Sequence, residues 1–215
     1  MFTAKDISPE IILDLYRQGI FPMANDKNDT HFNFYRPEMR GQLSINNLHV
    51  PTKLKKLIRQ NIFDIRINTD FIGVIDGCAQ SYKDRETTWI NQAIRDVFIE
   101  LHAQGHAHSV ECWQGSELVG GLYGLSIGAV FCGESMFSKK PNASKIALVH
   151  LCARLHKGRF TILDTQFTNS HLEQFGVYEM PQEKYETLIK TEMQKPSDFS
   201  LNGLNEDFII RGYLG

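Results

Sequence analysis

Apolar positions recur at helical spacing in some stretches of the chain and alternate with polar ones in others, and these two periods divide it into elements. Near the start, Ser8-Pro9-Glu10 leads into Ile11, Ile12, Leu15 and Tyr16 and closes at Gly19. An N-cap hydroxyl, a proline at the first helical position and a terminal glycine frame a short helix. Gly19-Ile20-Phe21-Pro22-Met23, a polar stretch from Ala24 to Thr30, and an aromatic cluster of Phe32, Phe34 and Tyr35 then run to Pro37, predicting a small N-terminal domain over 1–38. A basic helix over 54–60 and a strand over 62–68, where Phe63, Ile65 and Ile67 alternate with Asp64 and Arg66, open the remainder. Helices follow over 70–80 and 91–104, the second with Ile94, Val97, Phe98 and Leu101 on one face and Gly105 at its end. Three β-type runs cover 108–113, 117–123 and 127–133, the first two joined through Gln114-Gly115-Ser116 as a hairpin. A helix over 143–156, a strand over 160–164, and helices over 170–175 and 181–193 end the pattern.

A helix, a β-meander, a helix, a strand and a helix in that order predict an α+β fold. The layout is acyltransferase-like over 39–215, preceded by the small N-terminal domain. In such a layout the sheet splays and takes its acyl donor near the start of the helix after the meander. Composition adds exclusions. With 215 residues, 42% hydrophobic and 22% charged, the chain is an ordinary globular one, neither a repeat array nor a long disordered segment. Four cysteines, Cys78, Cys112, Cys132 and Cys152, form no C-x-x-C pair, which speaks against a disulfide framework or a zinc ribbon. With no signal-like leader and no spanning apolar run, the expected compartment is the reducing cytoplasm, with no membrane partner.

A formal net charge of −2 argues against a uniformly basic nucleic-acid binder. Its distribution changes that reading. Between Ser135 and Leu163 stand Lys139, Lys140, Lys145, Arg154, Lys157 and Arg159 with no Asp or Glu, and Lys53, Lys55, Lys56 and Arg59 form a second basic stretch. An acid-free span of this kind is either a solvated face or a phosphate track. Glu173, Glu179, Glu183, Glu186 and Glu192 balance it in the C-terminal third.

Polar residues in apolar surroundings concentrate at two strand ends, Phe131 to Ser138 and Thr161 to Phe167. Asp164 and Gln166 are spaced i, i+2, so a continuing strand points both to one face, where a carboxylate can orient an amide. The alternative is that Asp164 caps the strand and Gln166 faces solvent. Glu134 carries the same pair of readings. Asn142-Ala143-Ser144-Lys145 opens a helix whose free amides attract an anion or are capped by Asn142 or Ser144. His106 and His108 lack a third ligand at metal-site spacing, and Cys132 sits in a buried run where thiols are inert. Trp89, in a loop, either covers the core or serves as a stacking platform.

Taken together, Gly19-Ile20-Phe21-Pro22, Thr88-Trp89-Ile90, Gly105 to Glu111, Leu118 to Gly124, Phe131 to Ser138, Asn142 to Lys145 and Leu163-Asp164-Thr165-Gln166 resemble the leucyl/phenylalanyl-tRNA-protein transferase family, in the family's order. The resemblance implies an acyl-CoA N-acyltransferase-like (GNAT-like) domain over 39–215, in an enzyme without cofactor or metal that moves Leu, Phe or, less efficiently, Met from aminoacyl-tRNA to the α-amine of proteins beginning with Arg or Lys, marking them for N-end rule degradation. It implies catalytic positions at Asp164 and Gln166 with Glu134 beside them. It implies an aminoacyl-adenosine pocket made by Met23, Trp89, Leu122, Phe131, Gly133 and Leu151, and tRNA phosphate contacts from Lys139, Lys140, Lys145, Arg154 and Lys157. Met23 stands where a Trp often follows Gly-Ile-Phe-Pro, and Met stacks on adenine less well than Trp. An acetyl-CoA-dependent N-acetyltransferase is the competing enzyme reading, opposed by the lack of an Arg or Gln three residues before a Gly in a pyrophosphate loop. A non-catalytic tRNA or peptide-binding module is the third.

Overall fold

The computed structural model describes residues 7–80 and 87–215. The first six residues of the predicted N-terminal domain, and Glu86 ahead of Trp89, lie outside the described residues. Helix α1 (Pro9–Arg17) forms as its capping signals predict: the Ser8 side chain accepts from the Ile11 amide at 3.4 Å, and Ile12, Leu13 and Tyr16 turn inward. Strands β1 (Phe21–Met23) and β2 (Asn33–Tyr35) make a two-stranded antiparallel ribbon.

The rest is built on a seven-stranded mixed sheet of β3 (Met39–Leu43), β4 (Asp64–Ile67), β5 (Ala107–Gln114), β6 (Glu117–Ile127), β7 (Val130–Ser138), β8 (Ile162–Gln166) and β9 (Tyr178–Pro181), in the order β4-β5-β6-β7-β8-β3-β9. The meander β4-β5-β6-β7 is antiparallel, and β8 joins β7 in parallel after the crossover through α5 (Ala143–Lys157). Helices α2 (Thr52–Arg59), α3 (Phe71–Ala79), α4 (Gln92–Ala103), α6 (Ser170–Glu173), α7 (Gln182–Glu192) and α8 (Glu206–Leu214) complete the fold. Each predicted helix appears within a few residues of its expected bounds, the scatter that frayed ends produce.

Alternation along the strands separates two cores. On β6, Leu122 joins a cluster with α2, α5 and α8, whereas Tyr123 joins one with α1, α3, α4 and α7. Helix α5 is buried nearly all round, so its apolar pattern carries little amphipathic signal. It lies close on the sheet at Gly120, where a Cβ would stand 2.4 Å from that of Ala143. Among the described residues no helix is long and apolar enough to cross a membrane.

Three differences from the sequence expectation bear on the site. β3 and β9 were not anticipated: β3 is buried on both sides, and Arg40 and Gln42, 0% and 2% exposed, make one of them polar while Gly41 and Leu43 make the other. β6 runs on through Gly124 to Ile127 instead of ending at Tyr123, its pairing with β7 shifting register between Tyr123 and Gly124. A C-terminal helix, α8, packs on α5 beyond the last predicted element.

Candidate active site

The parallel pairing of β7 and β8 covers Val130–Ile162, Phe131–Leu163 and Cys132–Asp164 and stops there, while both strands continue. Beyond that point β7 pairs with β6, and Gln166 pairs with Gly41 of β3. The strands therefore part at Gly133 on one side and Thr165 on the other, leaving an opening in the middle of the sheet. Glu134, Asp164 and Gln166 stand at its rim.

Asp164 is completely buried and its carboxylate is filled with donors. The Arg40 guanidinium grips it as a fork, Nε to Oδ1 at 2.9 Å and Nη2 to Oδ2 at 2.7 Å. Gln42 Nε2 donates to Oδ1 and the Tyr185 hydroxyl to Oδ2, both at 3.1 Å. The Gln166 backbone N–H adds a bond to Oδ1 at 3.1 Å, and its side-chain Nε2 reaches Oδ2 at 3.5 Å. Gln166 holds this pose with a φ of +59°, in the left-handed region that costs a non-glycine residue about 1 kcal/mol. Its amide nitrogen is thus committed to Asp164, and its amide oxygen is left to accept. The solvent-facing alternative for Gln166 fails, since the residue is only 7% exposed. Arg40 and Tyr185 are residues that sequence reasoning missed. A charged residue between Met39 and Gly41 in a short β-branch-free run offered no periodic signal.

Glu134 lies on the same face. It accepts a hydrogen bond from the Tyr16 hydroxyl at 2.8 Å, so α1 reaches the rim directly. Burial pushes its carboxyl up to about 8, opposed by the Tyr16 bond and reinforced by the negative charge of Asp164. Cys132 lies between them, its thiol driven well above its ordinary value by burial and by both carboxylates, which removes it as a nucleophile.

The residues expected to form a donor pocket divide between the two faces. Met23 and Trp89, both half-buried, pack on the core that holds Cys132 and Tyr185, and the Ala24 amide donates to the Trp89 carbonyl at 3.3 Å. Leu122, Phe131 and Leu151 belong to the core under α5, where Phe131 stacks on Phe199 at 5.4 Å. Gly133 lies in the opening between them: a Cβ there would come no closer than 3.7 Å to any atom, the Asp164 carbonyl oxygen.

Of the basic residues, Lys139 and Lys140 are exposed and Lys145 half-buried at the start of α5. Lys145 and Asn142 share the lining of one cavity with Lys53 and Lys56 of α2, so the fold joins the two basic stretches. Lys157 is exposed at the far end of α5, about 18 Å from Lys145 at 1.5 Å per residue. Arg154 must be withdrawn from any phosphate track. It is 3% exposed, donates to the carbonyls of Phe199 and Ser200 at 2.7 and 3.0 Å and pairs with Glu206, because it faces the C-terminal segment that the sequence pattern did not reveal. At the start of α5, neither anticipated side chain caps: the Ser144 amide donates to the Ser138 hydroxyl at 3.0 Å. His108 uses both ring nitrogens on Asn68 and Ser126, each at 3.1 Å, and burial lowers it to about 3.

Residues 42–190 match the model of the leucyl/phenylalanyl-tRNA protein transferase family, and residues 5–38 match the model of that family's N-terminal domain. The chain belongs to this family. A leucyl/phenylalanyl-tRNA–protein transferase of Rhodopseudomonas palustris is 46% identical over 191 residues, covering 89% of this chain and 85% of the relative. One of Maricaulis maris is 47% identical over 191 residues, covering 89% and 88%. The protein is accordingly an aminoacyltransferase, which sets aside both the acetyl-CoA-dependent reading and the non-catalytic module.

Proposed function

We propose that this family member transfers Leu, Phe or, less efficiently, Met from aminoacyl-tRNA to the α-amine of proteins beginning with Arg or Lys, marking them for N-end rule degradation in the cytoplasm, with no cofactor. The observation that carries this reading is the parting of β7 and β8 with Glu134, Asp164 and Gln166 on its rim. It supports the GNAT-like assignment of 39–215 after a small domain over 1–38, and a donor end threaded between the strands. Met23 and Trp89 would then meet the adenosine, and the apolar core of Leu122, Phe131 and Leu151 would receive the aminoacyl side chain. An apolar chamber of limited width favours unbranched side chains over β-branched ones by shape.

In the reaction the amine nitrogen attacks the ester carbonyl carbon. The new C–N bond forms, the C–O bond to the terminal ribose breaks, and one amine proton ends on the ribose oxygen. Gln166 is no Brønsted base. Its amide oxygen accepts an N–H of the incoming neutral amine and orients the lone pair toward the carbonyl. Asp164 fixes Gln166 and polarises it through the Nε2 bond. The amine proton has two conceivable exits, the Asp164 carboxylate and the terminal ribose oxygen. The oxygens of Asp164 are already taken up by the donors of Arg40, Gln42, Tyr185 and Gln166, so the ribose oxygen takes the proton, with Glu134 the rim group poised to relay it near neutral pH.

Single-turnover transfer from Phe-tRNA to a peptide beginning with Arg, followed by mass, tests the assignment. The peptide gains one Phe, and Gln166→Ala and Asp164→Asn each slow the step by about 10²-fold or more. Full rate in Asp164→Asn would sink the positioning role given to that carboxylate.

A further inference from the structure

Arg40 is fully buried, yet it carries a charge and takes no part in the steps above. Placing a guanidinium there is expensive, and an apolar side chain of similar volume often replaces a buried ion pair without loss of stability. What an apolar residue would not supply is the arrangement around it. Two of its nitrogens hold Asp164, and the third, Nη1, donates to the Gly19 carbonyl at 2.9 Å. The guanidinium carbon lies over the rings of Phe21 and Tyr185, 4.7 and 4.6 Å from their centroids. The Gly19 carbonyl also accepts from Gln182 Nε2 at 3.0 Å, and a Cβ at residue 19 would stand 2.7 Å from that nitrogen. Gly19, with φ +74°, is therefore the place where the N-terminal chain, β3 and α7 come within hydrogen-bond reach. Strand β1 begins two residues later and carries Met23.

We propose that Arg40 is a positioning residue for the transfer step: it holds Asp164 in the orientation that presents the Gln166 amide oxygen, and it ties that orientation to the N-terminal strand bearing Met23. The inference rests on the reading of Asp164 and Gln166 given above. Arg40 touches neither substrate and acts through its two partners. A lysine keeps the charge but loses the fork and the second attachment, since an ammonium does not span both carboxylate oxygens and a backbone carbonyl in one plane.

The test is a double-mutant cycle of Arg40→Lys with Gln166→Ala, read as single-turnover rate and as KM for Phe-tRNA with an Arg-initiated peptide as acceptor, thermal unfolding being followed in parallel. In the otherwise unaltered enzyme Arg40→Lys lowers the rate 10–100-fold and leaves KM within about threefold; on the Gln166→Ala background the same change has less than a threefold effect. An equal fall on both backgrounds, or an unchanged rate in the single variant, overturns the proposal while leaving the roles of Asp164 and Gln166 intact. Full rate in Gln166→Ala removes that underlying reading, and the proposal with it. Arg40→Gln, neutral and nearly as long, is carried through the same cycle with the same criteria should the lysine variant unfold.

Discussion

Asp164 and Glu134 share one face of the sheet but differ in their surroundings. Arg40, Gln42, Tyr185 and Gln166 all donate to Asp164, whereas Glu134, among the described residues, accepts from Tyr16 alone and has no counter-ion in direct contact. Raised from 4.5 to about 8, Glu134 stays protonated in the fold over a range where the unfolded chain has released its proton. Stability is thus fully present below about pH 4.5 and declines as pH rises toward 8. Glu134→Gln should flatten that decline and gain on the order of 1 kcal/mol over the parent by about pH 9, measured by urea unfolding at low and high pH. The same variant should lower the transfer rate and leave a pH profile with only the limb of the acceptor α-amine, which titrates at about 7.7–8.0. A parent-like rate and profile would exclude Glu134 from proton transfer. The spacing of Asp164 and Gln166 was legible in the sequence. Arg40 was not, because a buried cation is recognised by its partners, and the carboxylate that holds this one lies 124 positions away.

At the level of elements, the site depends on where two strands stop pairing. Two glycines show the contrast. Gly133 stands in the opening with free space beside it, so Gly133→Ala should change stability by less than about 1 kcal/mol while impairing the donor's kcat/KM by tenfold or more. Gly120 stands where α5 presses on β6, and an added methyl would meet both the Ala143 Cβ and the Phe137 carbonyl oxygen, 2.4 and 3.0 Å away. Gly120→Ala should therefore cost about 1–3 kcal/mol by overpacking, visible as a lower Tm with little effect on KM once the protein is folded. Interchanged outcomes would mean that the donor enters elsewhere. Helices announced themselves through caps and apolar stripes, as the Ser8, Asp70 and Asn91 caps attest. β9 was hidden by its four-residue length and terminal proline, and β3 by the polar Arg40 and Gln42 on one of its two buried sides.

Over the whole molecule, the net charge of −2 conceals a division of surfaces. Lys53 and Lys56 come up beside Lys145, with Lys139 and Lys140 exposed just ahead of the same helix, whereas Glu183 and Glu186 lie on α7 across the sheet, Glu186 paired with Arg36 at 2.7 Å. If the basic group holds tRNA phosphates, binding weakens steeply with salt, and the triple change of Lys53, Lys56 and Lys145 to Ala lowers the slope of log K against log[salt] by about 2–3. Filter binding at several salt concentrations reads this directly; an unchanged slope would move the tRNA to another face. Arg154 and Lys157 should contribute little to it, the first being consumed by the C-terminal segment and the second standing at the far end of α5.

The sequence by itself determined the helices from α1 to α7, the meander and the family, since capping, periodicity and ordered motifs are local properties that survive without a fold. It also marked Asp164, Gln166 and Glu134, which are polar residues in apolar runs. Only the tertiary structure decided their chemistry. Which donors and charges stand within a few ångströms of each carboxylate is set by the fold, and they come from α1, β3 and α7, distant in the chain. The same holds for the basic residues: sequence counted them together, and burial took Arg154 out of the group while packing brought α2 into it.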